Sequence, residues 1–97
     1  MAQAIENWAD LSGGVREVRP RPGAPEMSEV AIGVERADDV EGFPNAFADT
    51  PGNELTVAIE TDRVEQAGVR PGDRVCVRAQ RATPSLVIAH PDSLAKT

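Results

Sequence analysis

The sequence predicts a mainly β domain of five strands, with a short helix between the third and fourth and a second short helix at the N-terminus. Three observations carry that prediction. Val30, Ile32 and Val34 alternate with Glu29, Ala31, Gly33 and Glu35. Leu55, Val57 and Ile59 do the same with Glu54, Thr56, Ala58 and Glu60. A period of two is that of a strand with one buried face. Between residue 60 and the next alternating run stand a helix-capping pattern and a Pro-Gly turn, which place one helix between strands.

Taken in order, AIENWADL at 4–11 sets Ile5, Trp8 and Leu11 at helical spacing with Gly13-Gly14 as a stop, giving a helix within residues 1–12. Trp8 then either plugs one end of the core or offers a stacking or partner-docking ring. Residues 14–19 form a strand of imperfect alternation, bent by a bulge at the glycines. PRPGAPE at 20–26 is an extended loop, because three prolines remove donors and restrict their predecessors. The strand at 28–36 follows.

Residues 37–53 form a long acidic loop, with one helical turn expected at 44–48. Its Phe43 and Phe47 either anchor the loop on the sheet or wait for a ligand. Asp38, Asp39, Glu41 and Asp49 lack the fixed spacing of a calcium loop, so no metal site is expected. After the strand at 54–60, Asp62 and Glu65 have the form of a capping box, and Gly68 suits a left-handed helix end. The helix is therefore set at 62–67, with Val64 and Ala67 inward.

Pro71-Gly72 reverses the chain. Val75, Val77 and Ala79 then alternate through a strand at 74–80, and the breaker Thr83-Pro84 precedes a last strand at 85–90. Residues 91–97 are expected to fray. The expected core is Val30, Ile32, Val34, Leu55, Val57, Ile59, Val75, Val77, Leu86 and Ile88.

A chain of 97 residues reads as one domain, 1–97, able to bury roughly two thirds of its unfolded surface. Tyr is absent, and Trp8, Phe43 and Phe47 are the aromatic residues, so the core must be aliphatic. The lone Cys76 forms no internal disulfide and has no metal-binding spacing, which favours a reducing compartment. No segment approaches the ~20 apolar residues that span a bilayer, and no secretory signal is evident; a cytoplasmic location is expected.

Charge is uneven. The net charge is −6, but residues 1–62 carry thirteen acids against four bases, and residues 63–97 three acids against six bases. Arg70, Arg74, Arg78 and Arg81 supply most of the later excess. They either pair with Glu54 and Glu60 across neighbouring strands or form a surface for an anionic partner. An acidic chain repels nucleic acid at long range, and no expected strand carries a stacking aromatic, so nucleic acid is the less favoured partner.

Catalytic groups do not converge in the sequence. His90 ends the last strand and is expected to face solvent. Cys76 shares a strand face with Arg74 and Arg78, where cations lower a thiol's pKa, yet no base stands near it in sequence. Asp38 and Asp39 are adjacent and so point apart, and Gly13-Gly14 does not continue as a phosphate loop. The residues indicate a non-enzymatic chain with no cofactor.

The order of strands at 14–19, 28–36 and 54–60, then a helix, then strands at 74–80 and 85–90, resembles a five-stranded OB barrel spanning 14–90. LSGGVREV, LTVAIETDRVEQAGVRPGDRVCVRA and SLVIAH also resemble TOBE domains, a small OB-like class in transport ATPases and molybdate-handling proteins. A narrower resemblance joins residues 54–90 to the swapped-hairpin half-barrel of AbrB-like DNA-binding regulators, although Ile59-Glu60 stands where that family usually has Ile-Pro. The resemblances imply a binding or accessory module. The expected partner is another protein or a small ligand; the alternative is a single-stranded nucleic acid, or duplex DNA as in AbrB-like regulators. The AbrB-like resemblance implies a hairpin-swapped dimer and the OB-like one does not, so the oligomeric state is left open.

Overall fold

The computed structural model describes residues 6–97. Among them six strands and one helix follow in the order β1 (Ala9–Arg21), β2 (Ala24–Asp39), β3 (Glu54–Glu60), α1 (Thr61–Ala67), β4 (Arg74–Thr83), β5 (Leu86–Ala89) and β6 (Ala95–Lys96). The sheet runs β1-β2-β3-β5-β4, and β4 pairs back onto β1, so five strands close into a ring with β6 added beside β4. Every pairing is antiparallel except β3 with β5, which meet in parallel at Ala58 and Ile88. That single pair is the thinnest seam of the ring. No helix among the described residues is long and apolar enough to cross a membrane.

The expected strand at 54–60 appears with those bounds, and β2 and β4 contain the expected strands and extend past them. Val30, Ile32, Val34, Val57, Ile59, Val75 and Val77 are buried inside the ring as expected. Leu55 is half-buried at its edge. In β5 the expected phase is reversed: Val87 is buried, and Leu86 and Ile88 are half-buried. A four-residue run that is apolar on both faces carries no alternation from which a phase could be read.

The N-terminal helix is not formed. Residues 6–8 have no regular structure and Ala9 begins β1, while residues 4 and 5 of the expected helix lie outside the described residues. Asn7, Ala9, Leu11, Gly13 and Val15 are all buried, which is a strand period hidden by two small inward residues. Gly13-Gly14 lies within β1 and stops nothing. A Cβ on Gly13 would stand 2.0 Å from the Gly33 carbonyl oxygen, so the two strands approach at a distance that only glycine allows. The expected bulge is present as two register shifts between β1 and β2, after Ser12 and after Val15.

The expected loop at 20–26 is a hairpin instead. β1 continues to Arg21, Pro22-Gly23 turn the chain, and β2 starts at Ala24. Pro20 is tolerated because β1 pairs with β4 only over Ala9–Gly14, which leaves its outer edge without a ladder to supply. Pro25 falls where the register between β1 and β2 skips.

Helix α1 ends as expected at Gly68, which has φ 65°. Its start differs: the N-cap is Glu60, with no side-chain cap, so the Asp62–Glu65 capping box is not made. Thr61 instead bonds the Ser28 hydroxyl at 2.9 Å and donates to the Pro25 carbonyl at 3.1 Å, tying the helix start to β2. Val64 and Val69 are buried as part of the same core cluster.

Residues 46–49 form turns rather than the expected helical turn. Within this loop Phe47 is fully buried and is the largest such side chain. Asn45 fixes its approach by accepting from the Phe47 N–H at 2.8 Å and donating to Ala37 O at 3.0 Å. The tail is ordered into the sheet: β6 pairs with Val75 and Cys76, Thr97 N donates to Arg74 O at 2.9 Å, and Lys96 donates to Gly68 O at 3.1 Å.

Candidate binding site

Alternation along β4 sends Val75, Val77 and Ala79 into the core and Arg74 and Arg78 outward. The strand facing them is β1, because β5 separates β4 from β3. The expected ion pairs with Glu54 and Glu60 are therefore not made. Arg78 grips Asp10 through both carboxylate oxygens, at 2.8 and 3.1 Å. Arg74 grips Glu35 in the same two-pronged way, Nη1 lying 2.6 Å from Oε2. Such forks are the strong form of a charged hydrogen bond.

The forks also move the titrations. The hydrogen bond from Arg74, with its charge, holds the Glu35 carboxyl below its ordinary value of 4.5. The same bonds raise Arg74 and Arg78 above their usual range.

The four arginines thus differ in state. Arg74 and Arg78 are held by acids. Arg81 lies over the Phe47 ring, 5.1 Å from its centroid, and donates to Pro84 O at 3.2 Å. The Arg70 side chain is exposed without an ion pair among the described residues, while its backbone N–H donates to Asp73 at 2.9 Å. Cys76 is half-buried between Arg74 and Arg78, whose charges already have partners. Asp38 pairs with Arg36 at 2.9 Å and Asp39 accepts from Asn45 at 2.9 Å. No three His, Cys, Asp or Glu side chains among the described residues are placed to hold a metal ion.

Of the three aromatic residues, Phe47 belongs to the core, and Trp8 and Phe43 share a surface cleft with Val40 and His90. Trp8 does not plug the core. Its backbone N–H donates to Pro44 O at 3.1 Å, which ties it to the 40–53 loop, and its indole N–H reaches Glu6 at 3.1 Å. His90 meets the Trp8 ring edge-on, with centroids 5.5 Å apart at 67°. Its Nδ1 lies 2.6 Å from Pro91 O. His90 N donates to Arg78 O at 2.8 Å, which sets the imidazole beside β4.

The cleft has a volume of about 230 Å³, with Glu6 and Arg78 on its rim. Sites for drug-sized ligands run to roughly 300–1,000 Å³, so this one is smaller, with the dimensions of a single ring or side chain. Phe43, at 39% exposed, is the large apolar side chain left open to solvent among the described residues. Sequence reasoning singled out Trp8, Phe43 and Arg78 without joining them, and it set His90 aside as a solvent-facing terminus. The contact of Trp8 with His90 spans nearly the whole chain, and no local pattern could announce it.

No protein-family model matches this chain, and no curated protein matches it either.

Proposed function

We propose that the ring is an OB-type barrel of TOBE-like kind, and that the chain serves in the cytoplasm as a small non-catalytic binding module. It docks an apolar or aromatic side chain of a partner protein in the cleft of Trp8, Val40, Phe43 and His90. The barrel reading draws support from the pairing order β1-β2-β3-β5-β4-β1, with the helix between the third and fourth strands. Over residues 54–90 it is favoured above the AbrB-like reading because β1 and β2 of the same chain complete the ring.

One observation carries the binding reading: two aromatic rings and an imidazole line a cleft at the surface, Phe43 and His90 exposed and Trp8 half-buried. Rings of this kind, with a polar handle at the rim, are what protein interfaces use as anchors. The charged groups at the rim are already engaged, Arg78 by Asp10 and Glu6 by the Trp8 indole, which suits recognition better than reaction. The engagement of Arg74 and Arg78 by acids also weighs against a nucleic-acid role.

Affinity capture from native extract tests this. Wild-type chain, Trp8→Ala, Phe43→Ser and Arg70→Ala should be compared, each shown to be folded by circular dichroism. The two cleft variants should lose the partner and Arg70→Ala should keep it. A partner held equally by all four would remove the cleft from consideration.

A further inference from the structure

A second cleft, sharing no residue with the first, is built by two of the three irregularities between β1 and β2, those after Ser12 and after Val15. Ser12 pairs with Arg36 and Gly13 with Val34, which leaves Glu35 as the extra residue of β2. Val15 pairs with Ile32 and Glu17 with Ala31, which leaves Arg16 as the extra residue of β1. A bulge re-aims the side chain it carries. Here both extra residues line one cleft of about 530 Å³, together with Gly33, Asn53, Glu54 and Arg74.

The charges in this cleft are not equivalent. Glu35 and Arg74 satisfy each other. Arg16 and Glu54 make no ion pair or side-chain hydrogen bond among the described residues, although both line the cleft. Arg16 is nonetheless seated. Its guanidinium rests where a side chain on Gly33 would be, since a Cβ there would stand 2.8 Å from Nε and 2.9 Å from Nη2. Glu54 is the cross-strand partner of Gly33, so the free carboxylate stands on the strand next to that seat.

We propose that this cleft binds a small zwitterion such as a free α-amino acid, its carboxylate on the Arg16 fork and its ammonium on Glu54. A guanidinium recognises a carboxylate through two parallel bonds, and a carboxylate accepts from an ammonium. A simple anion is disfavoured by Glu54 and a simple cation by Arg16, so the site selects a ligand carrying both charges. The volume lies within the range of small-molecule sites.

The test is a two-dimensional ¹⁵N NMR titration of the full chain with L-alanine, with acetate and methylammonium as single-charge controls. Alanine should give saturable shifts centred on residues 14–16, 33–35 and 52–54, at least about tenfold tighter than either control, a factor worth ~1.4 kcal/mol. Arg16→Gln and Glu54→Gln should each weaken alanine binding by a similar factor while leaving the spectrum folded. Gly33→Ala keeps both charges and unseats the guanidinium, so it too should weaken binding; its new methyl meets only the flexible end of Arg16. Acetate binding as tightly as alanine, no saturation by ~10 mM alanine, or undiminished binding by Arg16→Gln would each overturn the proposal.

Discussion

Asn7 pairs with Arg81 as a strand residue would, but with its side chain: Nδ2 donates to Arg81 O at 3.0 Å and Arg81 N donates to Asn7 Oδ1 at 2.8 Å. The β1–β4 ladder begins at Ala9 and Ala79, so the amide extends it by one step beyond the last backbone pair. Asn7 is 8% exposed, and the backbone groups it serves are partly shielded. Asn7→Ala should therefore cost ~1–3 kcal/mol, the price of leaving such groups unpaired. Urea unfolding measures it, and an unchanged midpoint would show that water replaces the amide without cost.

Two adjacent glycines should respond very differently. Alanine at Gly13 places a methyl 2.0 Å from the Gly33 carbonyl oxygen, and backbone must move to admit it. A loss of about 3 kcal/mol or more is expected, at or above the upper end for an overpacked core. At Gly14 the same methyl meets nothing within 4 Å, and Gly14→Ala should change stability by no more than ~0.5 kcal/mol. Equal effects at the two positions would contradict the close approach of β1 and β2.

Ile59, 3% exposed within β3, should lose ~2–5 kcal/mol on replacement by alanine. Leu86, half-buried in β5, should lose less. The reverse order in thermal or urea unfolding would mean that β5 packs in the opposite phase.

Stability should fall in acid through two carboxylates. Glu35 is held below 4.5, first by the hydrogen bond from Arg74. Asp73 is held below 3.8, first by the backbone N–H of Arg70 and then by Lys96. In each case the folded state binds its proton less readily than the unfolded one. The contribution is therefore present above the unfolded pKa and lost as pH falls through the folded value. Both groups are open to solvent, so the effect is small and screened by salt. Glu35→Gln and Asp73→Asn should each flatten the decline of unfolding free energy below about pH 4.5. Variants with the parent's slope would show that the pairs do not persist in solution.

Single-stranded DNA or RNA should bind only weakly. If all four arginines met phosphates, log K would fall with log salt at a slope of about −3. Arg74 and Arg78 would first have to leave Glu35 and Asp10. A fluorescence titration at several salt concentrations should show no submicromolar binding. Tight binding at that slope, lost on Arg74→Glu with Arg78→Glu, would make the arginines a nucleic-acid surface after all.

By itself the sequence determined what neighbouring residues decide among themselves. Strong β-branched alternation marked β3 to the residue, Gly68 marked the helix end, and Val30, Ile32, Val57 and Val77 announced the core. Where inward positions are small, as Ala9 and Gly13 are, the same alternation is present but silent, and the helical spacing of Ile5, Trp8 and Leu11 is the stronger local signal. Tertiary structure alone decided which strands adjoin. Glu35 meets Arg74 across 39 positions and Asp10 meets Arg78 across 68, and nothing local to an arginine can name an acid that far along the chain. Both clefts have the same origin: Trp8, Phe43 and His90, like Arg16, Gly33 and Glu54, become neighbours only because the ring closes β4 onto β1 and lays β2 between β1 and β3.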